Sequence, residues 1–215
     1  MSMEKVIEAA LADLGYTEEP GNMTKFGQAF GMNGVPWCVE ALWYWFREGG
    51  ESKAFFNGGK TASCTALMQL YQAEGRWFTD GNYQKGDIPI MTFNKKREVQ
   101  HCGLIIDKSA GGGWYTVEGN TSPGLEGSQD RGGCVAKKIR HVANILGVCR
   151  PQYSKEPEIT DIKPDYVDHW AEKSIRKAIN KGVIQGYPDG SFRPNEPVTR
   201  AEIAEILDRL GLMDL

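Results

Sequence analysis

The sequence predicts an α+β protein in which N-terminal helices pack on an antiparallel sheet and a small second domain follows. Three observations support this fold class. The first third of the chain carries apolar side chains at helical spacing, and the middle third carries short apolar or alternating runs between turn residues. A polar stretch with two prolines then divides the chain. Helices followed by strands are typical of α+β domains. We therefore expect domains at residues 1–150 and 161–215, joined by a linker at 151–160.

Three helices are predicted before the first strand. The first places its apolar side chains on a single stripe, and glycines at positions 15 and 75 are expected to end the first and the third. The second is apolar on nearly all sides, which predicts that it is buried. A loop rich in glycine and asparagine, residues 21–34, separates the first two. The predicted helices are residues 3–14, Pro36 to about Arg47, and Thr61–Glu74.

Five strands are predicted after these helices. Each is a short apolar or alternating run, and most are separated by turn residues. The predicted strands are Ile88–Phe93, Cys102–Ile106, Trp114–Val117, Val135–Ile139 and Ile145–Cys149.

The second domain is predicted to contain two helices. Asp168 is the expected N-cap of the first of them, and Gly182 its stop. Thr199 and Glu202 have the spacing of a capping box at the start of the second. About fifty residues give only a small core. We therefore expect this domain to pack on copies of itself or on the first domain.

Composition excludes several classes of function. The net charge of −3 gives no electrostatic reason to expect nucleic acid as a partner, and no apolar run is long enough to span a bilayer. The N-terminus lacks the basic and apolar regions of a signal peptide, so we expect synthesis in the cytoplasm without Sec-type export. Five cysteines with no Cys-x-x-Cys pair argue against a zinc or thioredoxin-like site. We expect no metal and no cofactor.

Candidate catalytic residues occur in a specific order along the chain. Cys38 opens the buried helix, His101 opens a strand, and Glu118 and Asn120 close the next strand. This is the order of nucleophile, base and base-orienting residue used in thiol-based amide hydrolysis. A helix N-terminus favours the thiolate. Glu118 and Asn120 would point to one face of a regular strand, so both could approach His101.

Each of these residues also has an ordinary structural interpretation. Cys38 alone would more often be a core cysteine, His101 a structural histidine and Asn120 a turn residue. The joint order of all three favours a site. Of the two acceptors, we expect Asn120 to be the direct partner of the imidazole.

The first domain resembles the CHAP family, the cysteine, histidine-dependent amidohydrolases/peptidases of papain-like fold. The resemblance covers roughly residues 3–150 and rests on four segments, 34–38, 86–90, 101–105 and 117–121. It implies that Cys38 is the nucleophile, His101 the base, and Glu118 and Asn120 the orienting pair. Members of this family cut amide bonds in peptidoglycan, as N-acetylmuramoyl-L-alanine amidases or peptide-bridge endopeptidases. Some bind calcium through an acidic loop before the cysteine, but residues 31–36 contain no Asp or Glu.

The second domain resembles an S-layer homology (SLH) module. The resemblance rests on residues 168–171, 182–194 and 198–202. It implies binding to a secondary cell-wall polysaccharide, with Arg200 contacting an acidic ketal and Trp170 stacking on a sugar. A core-anchor role for Trp170 is the alternative. Such modules commonly occur in threes, whereas this chain has one. We therefore expect a homotrimer through residues 161–215, with a monomer as the alternative.

The two resemblances together predict an endolysin-type peptidoglycan hydrolase that is held on the Gram-positive cell wall. Bacteriophage endolysins accumulate in the host cytoplasm and reach the wall through a holin lesion, so that is the expected localisation. A bacterial autolysin is the alternative within the enzyme class. The alternative from another class is a non-catalytic cell-wall or S-layer-associated binding protein.

Overall fold

The computed structural model describes residues 2–125, 132–154, 164–187 and 189–212. It divides into two compact units, Met1–Lys155 and Glu156–Leu215. The division falls within the stretch predicted to be a linker. Residues 155–160 of that stretch lie outside the described ranges.

The first unit is built around one buried helix. Helix α3 is buried along nearly its whole length, as its apolar composition predicts, and α1 packs on it through Val6, Ile7 and Ala10. The structure starts α3 at Cys38, with Trp37 as its N-cap, two residues later than the sequence predicts. The helices of this unit are α1 (Ser2–Ala12), α2 (Lys25–Phe30), α3 (Cys38–Glu48), α4 (Ser52–Phe56) and α5 (Cys64–Ala73).

Helices α2 and α4 lie in stretches for which the sequence predicted no helix. Each has fewer than two turns, which is too short to show a helical repeat of apolar residues. Local caps define them instead. The Thr24 hydroxyl accepts a hydrogen bond from the Gly27 N–H at the start of α2, and Gly31 ends it with a positive φ of 88°.

The strands of the first unit form two antiparallel sheets. One has the order β1-β7-β2-β3 and the other β4-β5-β6. The mixed α and β composition with antiparallel pairing agrees with the predicted fold class. The strands are β1 (Trp77–Phe78), β2 (Ile88–Met91), β3 (His101–Cys102), β4 (Leu104–Lys108), β5 (Trp114–Thr121), β6 (Cys134–Arg140) and β7 (Ile145–Cys149).

The single strand predicted at Cys102–Ile106 is divided at Gly103. Before the glycine, β3 pairs with β2, and His101 lies opposite Met91. After it, β4 pairs with β5, and Leu104 lies opposite Val117. The chain thus passes from one sheet to the other directly after His101.

The beginning of the predicted linker packs on the first unit. The Tyr153 hydroxyl donates a 2.6 Å hydrogen bond to the Gly86 carbonyl, and its ring stacks on Phe46 with centroids 5.6 Å apart. The Ser154 N–H donates a 3.0 Å hydrogen bond to a Glu51 carboxylate oxygen. Residues 151–154 therefore extend the first unit, because an aromatic ring and a buried carboxylate hold them there.

The second unit contains helices α6 (Glu172–Asn180) and α7 (Arg200–Arg209). The capping box predicted at α7 is present, with Thr199 and Glu202 bonded reciprocally. The N-cap predicted for α6 is wrong. Asp168 has a positive φ of 68°, and α6 begins after Ala171, while the Glu172 carboxylate accepts the Asp168 N–H at 2.8 Å. Among the described residues, no helix has the length and apolar character needed to cross a bilayer.

Candidate active site

Cys38 is the first residue of α3, and its helix is fixed by aromatic packing. Trp37 stacks on Phe26 with ring centroids 5.2 Å apart, and its indole N–H donates a 2.6 Å hydrogen bond to Glu18. Trp37 makes no side-chain cap, so the first amide groups of the helix point out from its end. Cys38 is 6 % exposed. The sulfur thus lies at the positive end of the helix dipole, which favours a thiolate.

Two glycines allow strand β5 to approach Cys38 and His101 closely. A Cβ added to Gly119 would lie 2.6 Å from the Ala41 Cβ, so only glycine lets β5 lie against α3. A Cβ added to Gly103 would lie 2.7 Å from the Glu118 Cγ. Both values are below any normal Cβ contact, so larger residues would separate the helix from the strand or displace Glu118.

His101 is held by Glu118. The imidazole Nε2 lies 3.0 Å from Glu118 Oε2, and neither side chain is exposed to solvent. Because an ionised carboxylate can only accept, Nε2 is the donor in this bond. The other ring nitrogen, Nδ1, is buried and has no hydrogen-bond partner within the described part of the chain. Nδ1 is therefore the nitrogen left to exchange a proton with Cys38.

Glu118 is in turn held by Arg140. The guanidinium Nε and Nη2 donate hydrogen bonds of 2.7 and 2.6 Å to the two carboxylate oxygens, and the Thr116 hydroxyl donates a third of 2.6 Å. Burial alone would raise the pKa of Glu118, but the hydrogen bonds from Arg140 and His101 outweigh it and lower that pKa to about 2. Glu118 is therefore an anion at any pH at which the protein would function.

Arg140 belongs to the candidate site, and sequence reasoning missed it. In the β5–β6 register it lies opposite Trp114, whereas Glu118 lies opposite Ala136. The long side chain reaches Glu118 diagonally across the sheet. No sequence spacing pairs Arg140 with Glu118. The available signal for Arg140 was its position as a buried arginine at the end of an alternating strand.

Glu118, not Asn120, makes the hydrogen bond to the imidazole among the described residues. The β5–β6 register shifts between Glu118 and Thr121, and Asn120 has a positive φ of 53°, so the regular alternation of the strand is broken there. Asn120 is half-buried, and its side chain makes no hydrogen bond to the other described residues. The structure thus corrects the sequence-based preference for Asn120. Glu118 is the residue that orients His101, and the assumption of a regular strand was at fault.

Cys38 and His101 are arranged to carry opposite charges. Hydrogen bonds from the Cys102 and Cys64 thiols, and then the nearby positive charge of His101, lower the pKa of Cys38 well below its ordinary value despite burial. Burial lowers the pKa of His101, but Cys38 and Glu118 outweigh it and raise this pKa to about 9. A thiolate and an imidazolium are therefore the favoured pair near neutral pH. With Glu118 and Arg140, the four buried charges sum to zero.

Two further thiols lie beside Cys38. The Sγ atoms of Cys38, Cys64 and Cys102 all lie within 4.8 Å of one another, and Cys38 and Cys64 are 3.8 Å apart. Such a trio could share a thiophilic cation, but the cation would occupy the lone pair that a nucleophile needs. We therefore interpret these residues as thiols. The expectation that the protein needs no metal stays a prediction.

Glu40 is a second ionisable group that sequence reasoning missed. It is buried two residues after Cys38, and neither carboxylate oxygen has a hydrogen-bond partner among the described residues. Burial, followed by the negative charge of Cys38, raises the pKa of Glu40 to about 7. A carboxyl that is substantially protonated near neutral pH adds little opposing charge to the site.

In the second unit, the two predicted polymer-binding residues are on the surface. Trp170 is 90 % exposed, so it is not a core anchor, and its ring lies 5.5 Å from that of His169. Arg200 is the exposed first residue of α7 and forms no ion pair within the described ranges. Neither lines the cavity of about 570 Å³ between α7 and the preceding loops. That cavity is lined by apolar residues, including Ile184, Val198 and Ile206, and also by charged ones such as Arg193 and Glu205.

Residues 164–204 match the S-layer homology domain family. Similar curated proteins cover the same part of the chain. The chain is 44 % identical over 54 residues to the outer membrane protein SlpA of Deinococcus radiodurans, covering 25 % of this chain and 4 % of that protein. It is 43 % identical over 53 residues to the cellulosome-anchoring protein of Acetivibrio thermocellus, covering 23 % of this chain and 12 % of that protein. It is 34 % identical over 68 residues to the S-layer protein EA1 of Bacillus anthracis, with 32 % and 8 % covered.

The chain thus spans a small fraction of the lengths of these relatives, and the matches support an S-layer homology domain at the C-terminal end. Among solved structures, the crystal structure of Ly7917 aligns with a TM-score of 0.44 and 14 % identity, covering 70 % of this chain and 62 % of that chain. A similarity at this level does not establish a common fold.

Proposed function

We propose that the first unit is a thiol-dependent hydrolase that cuts an amide bond in peptidoglycan, and that the second unit holds it at the cell wall. The observation that carries the catalytic part is the hydrogen-bonded set His101–Glu118–Arg140, whose imidazole acts on the charge of the helix-terminal Cys38. A buried carboxylate bonded to an imidazole beside a helix-terminal cysteine has little structural purpose, because burying charges costs free energy. The resemblance to CHAP amidohydrolases supplies the substrate class.

The reaction would proceed in two steps. The Cys38 thiolate attacks the carbonyl carbon of the scissile amide, and His101 protonates the leaving amine. His101 then takes a proton from the water that hydrolyses the resulting thioester. Glu118 keeps the Nε2 proton in place, so that Nδ1 performs both transfers. The backbone N–H of Cys38, which has no acceptor within its helix, is our candidate donor to the oxyanion.

Attachment to the cell surface has the more direct support. The S-layer homology domain and the names of its relatives, an S-layer protein and a cellulosome-anchoring protein, support a role at the cell wall. They support equally the alternative that the chain is a non-catalytic cell-wall or S-layer-associated protein. We favour a secondary cell-wall polysaccharide as the ligand, with Trp170 and Arg200 as contacts. Within the enzyme class we favour a phage endolysin over a bacterial autolysin.

A turbidity assay with purified Gram-positive cell walls tests the catalytic proposal. We expect Cys38→Ala to lower the lysis rate at least about a thousandfold, because removing a nucleophile abolishes the covalent pathway. Cys134→Ser is the matched control, since Cys134 lies outside the group of three sulfurs and serine keeps a donor to the Thr121 carbonyl. Mass spectrometry of the released muropeptides would identify the bond. Equal lysis by Cys38→Ala and wild type would leave the non-catalytic alternative.

We also propose that three chains associate through the second unit. Helix α7 exposes Ile203 and Leu207, and the exposed Leu210 and Leu212 follow its end. A closed threefold arrangement would cover these residues and raise avidity for a repetitive polymer. Light scattering should give three times the chain mass for the full chain and a monomer mass for a protein ending at Ser154. A monomer mass for the full chain at micromolar concentration would refute this assembly.

A further inference from the structure

Cys38 has a thiol neighbour that the proposed hydrolysis does not use. The Cys64 Sγ lies 3.8 Å from the Cys38 Sγ, the only sulfur–sulfur contact at that distance among the hydrogen bonds of the described residues. Each cysteine is the first residue of its helix, α3 and α5 respectively. We propose that Cys38 and Cys64 form a reversible disulfide when a peroxide oxidises Cys38.

The geometry favours this bond over any other in the first unit. A disulfide has an S–S distance of about 2.05 Å, so the two sulfurs must approach by roughly 2 Å. Cys38 is fixed in the buried helix, but Cys64 is half-exposed and is preceded by Ser63, an exposed residue. Helix α5 buries only Leu67 and Tyr71. The movement can therefore come from the Cys64 side and the first turn of α5.

Cys102 is the competing neighbour, and its surroundings disfavour it. It is fully buried on strand β3, where it lies opposite Ile90 in the ladder with β2. Its strand also carries His101, so moving Cys102 toward Cys38 would displace the imidazole. Cys134 and Cys149 lie outside the group of three sulfurs. Cys64 is thus the one thiol of the trio with both proximity and freedom to move.

Hydrogen peroxide is the only co-reactant that disulfide formation needs. The Cys38 thiolate attacks one oxygen of hydrogen peroxide, which breaks the O–O bond, gives Cys38 sulfenic acid and releases hydroxide. The Cys64 sulfur then attacks the Cys38 sulfur, and the sulfenic hydroxyl leaves as water with the Cys64 proton. In sum, two thiols and one peroxide give one disulfide and two waters, and each sulfur loses one electron to the oxidant.

The charges of the two thiols support this order of events. Cys38 has a lowered pKa and is therefore the thiolate that attacks the peroxide first. A hydrogen bond from Cys102 lowers the pKa of Cys64, but the hydrogen bond to Cys38, burial and the negative charge of Cys38 outweigh it and raise that pKa. Oxidation turns Cys38 into a neutral sulfenic acid, which removes the opposing charge. Cys64 then ionises more readily at the moment when it must attack.

The consequence for activity rests on the proposed function. A Cys38 sulfur in a disulfide cannot attack an amide, so the hydrolase would be switched off in oxidising surroundings and restored by thiols. The bond would also protect Cys38, because further peroxide converts an unprotected sulfenic acid irreversibly to sulfinic acid.

Peptide mapping of the full chain tests the bond independently of lysis. Wild type, Cys64→Ser and Cys102→Ser are freed of metal with a chelator, treated with hydrogen peroxide, alkylated and digested with trypsin without reduction. Cleavage after basic residues places Cys38, Cys64 and Cys102 on three separate peptides, 26–47, 61–76 and 98–108. We expect wild type and Cys102→Ser to yield a linked 26–47/61–76 pair that dithiothreitol releases.

In Cys64→Ser we expect no linked pair and at least tenfold more Cys38 sulfinic acid than in wild type at the same peroxide dose. A Cys38–Cys102 link, or equal sulfinic acid in wild type and Cys64→Ser, would overturn the proposal. Because the measurement counts sulfur species, it stands whether or not Cys38 proves to be a hydrolytic nucleophile.

Discussion

The first unit buries a network of charged side chains, whereas the ion pairs in the described part of the second unit lie on the surface. In the first, Glu118, His101 and Arg140 are joined by short hydrogen bonds and are shielded from solvent. In the second, ion pairs such as Arg176–Glu172 and Arg193–Asp189 lie on the surface. A buried charge is stable only in one geometry with its partner, whereas exposed pairs are screened by water. The first arrangement suits chemistry on a fixed atom, and the second suits contact with an external polymer.

Apolar side chains, like charged ones, are more deeply buried in the first unit than in the second. The first unit surrounds α3 with a continuous core of aromatic and aliphatic side chains. In the described part of the second unit, Ile175 is the only buried apolar residue, and Ile203 and Leu207 are exposed. The first unit therefore has enough core to hold buried charges in place. The second leaves apolar surface that a partner or a further copy would cover.

The largest expected effect tests whether the buried charge of Glu118 acts on His101. We expect Glu118→Gln to lower kcat/KM for wall lysis by about a thousandfold, as loss of an orienting carboxylate does in related triads. In wild type, the imidazolium is present below its pKa of about 9 and is lost above it, so activity should fall as pH rises through 9. Glutamine carries no negative charge, so this falling limb should move to lower pH. An unmoved limb would mean that Glu118 acts only structurally.

Asn120→Gly is the matched control two residues along the same strand. Glycine removes the amide side chain and tolerates the positive φ of 53° at this position. We expect activity within about threefold of wild type and an unmoved pH profile. A loss comparable with that of Glu118→Gln would restore Asn120 as the orienting residue.

A second test compares one buried and one exposed ion pair. Arg140→Met leaves Glu118 without its bidentate partner, and breaking a buried pair costs about 3–5 kcal/mol of unfolding free energy. Arg176→Met breaks an exposed pair in α6, and we expect no measurable change there. Urea unfolding followed by tryptophan fluorescence reports mainly on the first unit, because Trp170 is the only one of six tryptophans outside it. Equal urea midpoints for Arg140→Met and Arg176→Met would refute the idea that the buried ion pair stabilises the protein more than the exposed one.

Much of the fold was predictable because its signals are local. Helix α1, the buried character of α3, the capping box at Thr199 and most strands were predicted from nearby residues in the sequence. Helices α2 and α4 were missed because they are too short for periodicity. The division at Gly103 was missed because pairing with two different sheets is a property of the whole first unit.

The candidate site was predictable only in part for the same reason. Cys38 and His101 were recognised from their positions at the starts of elements. The choice between Glu118 and Asn120 depended on a bulge that breaks strand alternation, and Arg140 depended on a diagonal contact across a sheet. The closeness of Cys64 to Cys38 was not predicted, because the two cysteines are 26 residues apart in the sequence. The S-layer homology domain was easier to recognise, because its motif is continuous in the chain.

The smallest effect concerns the exposed aromatic residue of the second unit. We expect Trp170→Ala to weaken binding to purified cell walls by about tenfold, which corresponds to about 1.4 kcal/mol and to the loss of one stacked ring. Since Trp170 is 90 % exposed, unfolding should not change. Wall binding is best measured by sedimentation in a Cys38→Ala background, which prevents lysis of the walls. Arg176→Ala is the control, because it removes an exposed long side chain elsewhere in the same unit. Unaltered binding by Trp170→Ala would move the polymer contact elsewhere, with the cavity beside α7 as the next surface to test.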